Sequence, residues 1–104
     1  MLPHGPLEIA LWVALSMSAG FSEELTFRGY FSAQFHALTG SAPLALVLQA
    51  VLFGVTHGYQ GVRACCTITL YGLLMGLLAK VRGSLRPGMI VHAWTDIAAG
   101  IFRI

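Results

Sequence analysis

Four stretches of the chain are almost wholly apolar: residues 7–21, 42–55, 64–81 and 89–102. Thr39-Gly40-Ser41-Ala42-Pro43 forms a turn that launches the second stretch, and Gly58-Tyr59-Gln60-Gly61 is the turn after it. Residues 82–88, which include Arg82, Gly83, Arg86, Pro87 and Gly88, separate the third from the fourth. Each stretch is short of, or barely at, the roughly 20 residues that span hydrocarbon. Four of them in 104 residues, with so few charges, still favour the membrane over buried soluble helices. The pattern predicts an all-α, multi-pass transmembrane helical bundle with about four to five membrane-embedded helices.

The first stretch can run on. Ser22 can cap a new turn, with Glu23 and Glu24 at its N-terminal end, where the helix dipole favours carboxylates. Leu25, Phe27, Tyr30, Phe31 and Phe35 keep an amphipathic pattern up to His36, so residues 7–36 read as one long or broken helix. Gly72 with Gly76, and Gly54 with Gly58, have the spacing that lets helix backbones approach closely in a membrane.

Composition strengthens the membrane reading. The chain is 57% hydrophobic and 10% charged, with a mean hydropathy of +0.77, whereas soluble domains carry about 25% charged residues. Its 104 residues suffice for a single domain, 1–104. A net charge of +2, on scattered basic residues, argues against nucleic acid as a partner and leaves membrane lipids. The basic residues of the 80–86 loop make it the candidate for the cytoplasmic side. The N-terminus does not read as a signal peptide, because residues 1–6 lack Lys and Arg and the apolar run leads straight into charged residues. Cys65 and Cys66 are sequence neighbours that rarely meet disulfide geometry and read as ordinary small thiols.

Against this background a few residues stand out. Ionisable groups in apolar helices are costly and are functional candidates by default. They fall into three groups: Glu23-Glu24-Leu25-Thr26-Phe27-Arg28, then Phe53-Gly54-Val55-Thr56-His57, then His92-Ala93-Trp94-Thr95-Asp96. Glu24 and Arg28 are one helical turn apart and can pair. Glu23 should point about 100° away from Glu24 and stay available as a general base, so the two carboxylates are expected to divide the work. His92 and Asp96 are also one turn apart, so Asp96 can orient the imidazole. Phe53 lies one turn before His57 and can wall the same pocket. Each group alone has a structural reading, as an ion pair, a core histidine or a helix contact. Their co-occurrence on three segments of one short chain favours a site. His4 and His36 lie near segment ends and are set aside.

In order, these groups resemble the three motifs of the CPBP family, the CAAX prenyl proteases and bacteriocin-processing enzymes also called Abi proteins. The motifs are Glu-Glu-x-x-x-Arg (Glu23, Glu24, Arg28), Phe-x-x-x-His (Phe53, His57) and His-x-x-x-Asn or Asp (His92, Asp96). Phe27-Arg28-Gly29 and Gly83-Ser84-Leu85-Arg86-Pro87 are similar flanks, and the resemblance covers residues 17–100. It implies an intramembrane endopeptidase, multi-pass in a bacterial cell membrane, that cleaves a membrane-associated protein or peptide. Glu23 would activate the attacking water. His57 and His92 would bind a metal with Glu23 or help stabilise the oxyanion, with Glu24, Arg28 and Asp96 organising the site. Glu23, His57 and His92 could hold Zn²⁺ or another divalent metal with an open position for water. A metal-independent glutamate mechanism is equally compatible, and no His-Glu-x-x-His helix forces the choice. Many members have Asn where this chain has Asp96, and an ionised Asp cannot donate to an oxyanion. Typical members also carry membrane helices before the first motif, which this chain is expected to lack.

Two other classes compete. One is a non-catalytic membrane protein, such as an immunity or scaffold factor, that keeps the motif as a polar network. The other is a proton-coupled carrier using the Glu and His set as a relay, against which the absence of an inverted repeat weighs. Depth sets a further expectation. Glu23 lies about 24 Å along a helix from residue 7, and His57 about 21 Å along the second segment. His92 comes only about 8 Å after Pro87. For the groups to meet, either the 82–88 loop dips into the bundle or the first helix breaks at Ser22.

Overall fold

In a computed structural model, which describes residues 2–102, the chain enters helix α1 (Gly5–Glu23) with Pro6 in the first turn, where a missing N–H costs nothing. The helix does not stop at the glutamates. It passes into a π-helical segment (Glu24–Phe31) and returns to α geometry as α2 (Ser32–Thr39). Gly40 then closes the rod with a left-handed φ of 69°. Ser22 caps nothing: its Oγ donates to the Ser18 carbonyl at 2.5 Å, back along the same helix. The expected break is therefore a widening, and residues 5–39 form one rod.

Ser41 caps helix α3 (Ala42–Val55), its Oγ accepting from the Leu44 N–H at 3.2 Å. A 3₁₀ turn (Gly58–Gln60) leads into α4 (Val62–Arg82), which Gly83 ends at φ 65°. Helix α5 (Arg86–Phe102) starts sooner than the apolar pattern indicates. Proline suits a first helical turn, and Ser84 Oγ accepts from the Arg86 N–H, so the expected 82–88 loop shrinks to Gly83, Ser84 and Leu85. That short connection lies alongside the π segment of the first rod, where a Cβ on Gly29 would meet Leu85 at 3.2 Å. Of the two ways to bring His92 inward, the loop therefore moves and the helix stays whole.

Among the described residues every regular element is a helix, with no strand. Helix α1 packs chiefly on α5, and α3 on α4. Glycines set both crossings. The expected Gly72 and Gly76 face does meet α3: a Cβ on Gly72 would lie 3.2 Å from Ala50 Cα, and one on Gly76 2.6 Å from Gln49 Nε2. Gly54 meets Thr69 and the Cys65 carbonyl, but Gly58 faces open space, so that second spacing works through one glycine alone. On the other side, a Cβ on Gly20 would lie 2.8 Å from the Ala93 nitrogen and 2.9 Å from the Met89 oxygen. Those are backbone atoms and cannot rotate away. Gly20→Ala is expected to cost about 1–3 kcal/mol as an overpacked contact, read as a lowered melting temperature in detergent. A melting temperature equal to the parent's would show a looser α1–α5 crossing.

Buried polar side chains accompany a small apolar core of Ala45, Ala50, Phe53 and Met75. Glu24, Gln49, Arg28, His92 and Ser16 are buried, while Leu7, Leu11, Leu15, Leu38, Leu70 and Leu74 are exposed. Among the described residues one helix, Val62–Arg82, is long and apolar enough to cross a membrane, and Ala42–Val55 is a shorter apolar helix. Cys65 and Cys66 are free thiols.

Candidate active site

The first motif lies across the junction between α1 and the π segment. Widened helical turns of this kind recur at functional sites because they re-aim side chains without ending the helix. Glu24 is fully buried, and its Oε2 lies 3.4 Å from Arg28 Nη1, so the one-turn pairing read from sequence is present. The same oxygen takes a shorter contact from another helix: His92 Nδ1 donates to it at 2.7 Å. Glu24 thus orients His92 more closely than Asp96 does, whose Oδ2 lies 3.5 Å from His92 Nε2. The α1–α5 crossing makes this possible, since Gly88 leaves room for the Glu24 carboxylate: a Cβ there would lie 3.1 Å from Oε1.

Glu23 does not point away from its neighbour's partner. Its Oε1 lies 3.2 Å from His92 Nε2, so the two carboxylates hold opposite nitrogens of one imidazole. The ring sits between them, and Glu23 takes no part in the Glu24–Arg28 pair. The difference between them is exposure, for the Glu23 side chain is 37% accessible and Glu24 is sealed. Both nitrogens of His92 face carboxylate oxygens, an arrangement that two N–H donors satisfy.

Helix α3 brings the second motif. Phe53 is buried at the centre of the site, with the Arg28 guanidinium 4.2 Å from its ring centroid. It meets His57 edge-on at 4.9 Å and His92 edge-on at 6.1 Å. His57 follows the last turn of α3, and its Nδ1 donates to the Phe53 carbonyl at 2.8 Å. Because a carbonyl can only accept, Nδ1 carries the hydrogen and Nε2 is left with the lone pair in the neutral ring.

These side chains share one cavity. A space of about 340 Å³ is lined by Glu23, Phe53, His57, His92 and Asp96, with Tyr71 and Thr95 among its other walls. Glu24 and Arg28 lie behind it. His36 is elsewhere, on a second cavity of about 420 Å³ with Arg28, Lys80 and Ser84. Sequence reasoning missed Tyr71, whose ring meets His92 edge-on at 5.6 Å. The available signal was a polar-tipped aromatic beside Gly72, on a helix face that close packing turns inward.

The set read as a metal site does not fit one in this arrangement. Among the described residues no group of three or more His, Cys, Asp or Glu side chains is disposed to hold a metal ion. His92 turns both nitrogens to carboxylates, leaving His57 Nε2 as the one histidine lone pair of the set not aimed at a neighbour.

Comparison with known proteins gives a family. No curated protein and no solved structure matches the chain. The family model described as type II CAAX prenyl endopeptidase Rce1-like matches residues 5–98, which contain all three motifs. With its motifs gathered on one cavity and most of its length matched, the chain belongs to the Rce1-like family of type II CAAX prenyl endopeptidases.

Proposed function

We propose that the chain is an intramembrane endopeptidase that hydrolyses a peptide bond of a membrane-associated substrate, with Glu23 activating the water. The observation that carries this reading is the half-buried Glu23 carboxylate in a cavity shared with His57, His92 and Asp96. Exposed large apolar side chains on every rod, over buried ionisable groups, support embedding of all four rods (5–39, α3, α4 and α5) in the bilayer.

The roles follow from what each atom is free to do. His92 holds one Glu23 oxygen by its Nε2–H, leaving the other to take a proton from water. Water oxygen attacks the scissile carbonyl carbon as that proton passes to Glu23. His57 Nε2, with its lone pair, accepts the second water hydrogen as a hydrogen bond and sets the direction of attack. When the C–N bond breaks, Glu23 returns its proton to the leaving nitrogen and is ready again. Glu24 and Arg28 act from behind, keeping His92 in place. Phe53 excludes water from the far side of both histidines.

The test is direct. Chain purified in detergent should cleave peptides from a panel with and without a prenylated cysteine, the new termini being read by mass spectrometry. Absence of any cleavage would favour the non-catalytic class, a scaffold or immunity factor keeping the network for structure. No step here passes through a metal, so 1,10-phenanthroline is expected to leave the rate unchanged. A loss of activity restored by Zn²⁺ would replace this mechanism with one built on a Glu23, His57 and His92 metal centre.

A further inference from the structure

The cavity that His36 shares with Arg28 and Lys80 has no part in this mechanism. It measures about 420 Å³ and lies among the first rod, α3, α4 and the 83–85 connection. Its polar wall is made by Ser32, His36, Lys80 and Ser84, and no carboxylate reaches it. The Arg28 side chain is sealed and held by Glu24, so the charge open to this space is that of Lys80. The chain has four carboxylate side chains, and all four are placed elsewhere. Glu23, Glu24 and Asp96 surround His92, and Glu8 accepts from the His4 N–H at the start of α1. Lys80 therefore has no counter-charge among the described residues.

The same wall carries donors. The His36 imidazole has an N–H in either protonation state. Ser84 Oγ accepts from the Arg86 N–H at 3.2 Å, which leaves its own hydrogen to give. The first turn of α3 and the last turn of α4 both face the space, and their opposite dipole ends offset, so side chains set its sign. Apolar surface adjoins it. Leu77 lies one turn before Lys80 and Val81 directly after it, both exposed, as is Leu44 beside the α3 wall. An unpaired cation next to an apolar flank matches a molecule with an anionic head and apolar tails. Basic pockets between membrane helices hold lipid head groups in this way.

We propose that this cavity binds the phosphodiester of an anionic glycerophospholipid, with Lys80 supplying the charge and His36 and Ser84 donating to the phosphate oxygens. The acyl chains lie over Leu77 and Val81. The proposal rests on the bilayer embedding inferred above and is independent of the cleavage chemistry.

Native mass spectrometry of the chain purified in detergent tests it, by titration with phosphatidylglycerol, phosphatidylcholine or inorganic phosphate. Phosphatidylglycerol should bind more tightly than phosphatidylcholine, whose choline offsets the phosphate charge. Lys80→Gln should weaken the first phosphatidylglycerol adduct by about 5-fold, the worth of one lysine at an anionic surface. Lys80→Arg should keep it. Lys80 is exposed, so the melting temperature of both variants without lipid should match the parent's. Arg63→Gln removes an exposed charge from the other end of α4 and should change nothing. Parental affinity in Lys80→Gln would overturn the proposal. An equal loss in Arg63→Gln would overturn it too, since the attraction would then be diffuse. So would displacement of the lipid by inorganic phosphate that itself stays bound, which would assign the cavity to a soluble anion. Because cleavage is not the readout, failure of lipid binding leaves the endopeptidase standing. A chain that stays dispersed in buffer without detergent strikes instead at the embedding, and the proposal falls with it.

Discussion

Glu23→Gln is expected to abolish cleavage while leaving the fold intact. The amide has the shape of the carboxylate, and its oxygen still accepts from His92 Nε2, now 3.2 Å away. What it loses is the capacity to take a proton from water and hand it to the leaving nitrogen. General bases contribute roughly 10²- to 10⁴-fold, which corresponds to about 3–5 kcal/mol of barrier. The buried partner of Glu23, His92, keeps the Glu24 carboxylate at 2.7 Å and gains an amide oxygen in place of the lost carboxylate oxygen, so the fold should hold. Cleavage rate by mass spectrometry and the melting temperature in detergent are the two readouts. A rate equal to the parent's with the same melting temperature would end the assignment of Glu23 as the base.

The adjacent glutamate should behave in the opposite way. Glu24→Ala is expected to destabilise the protein and to remove activity as a consequence. Its Oε2 serves Arg28 at 3.4 Å and His92 at 2.7 Å, and it is fully buried, as Arg28 nearly is. Deleting it leaves the guanidinium against the Phe53 ring with no counter-charge, a situation that costs about 3–5 kcal/mol where a buried pair loses one partner. Glu24→Gln keeps an acceptor for His92 but not the charge, and should lie between the alanine variant and the parent. The double variant Glu24→Leu, Arg28→Met should regain much of the stability, since a buried pair replaced by apolar groups is often neutral. It should not regain cleavage, because His92 Nδ1 then has no partner. A Glu24→Ala melting temperature equal to the parent's would show that the pair does not hold the site together.

These two variants separate what adjacency in sequence conceals. Glu23 and Glu24 look alike in the chain, and the i, i+4 relation to Arg28 distinguishes them only by a pairing. In the fold they flank one imidazole, and exposure divides their tasks. The local contacts were legible because a helical turn brings i and i+4 together whatever the surroundings. Glu24 with Arg28, Phe53 with His57 and His92 with Asp96 are all observed. The turn at residues 39–43 was legible for the same reason, as backbone chemistry within a few residues, whereas the Ser41 cap within it emerged from the structure.

By itself, then, the chain determined its all-helical character, its three polar groups and the pairings within each helix, since these depend on hydrophobicity and one-turn spacing. Only the tertiary structure decided how the groups meet. The Glu24–His92 contact joins residues 68 positions apart. It depends on Gly20 and Gly88 letting α5 lie close to α1, and on a connection that ends beside Gly29 instead of beyond the rod. The change from α to π geometry at Glu24 exchanges one set of backbone hydrogen bonds for another, a small balance that neighbouring helices can tip. Tyr71 entered the site by the same route, carried in by a helix whose glycines, and not its ionisable groups, set its position. One-turn periodicity is a property of the chain, whereas the approach of two helices depends on which backbones can touch.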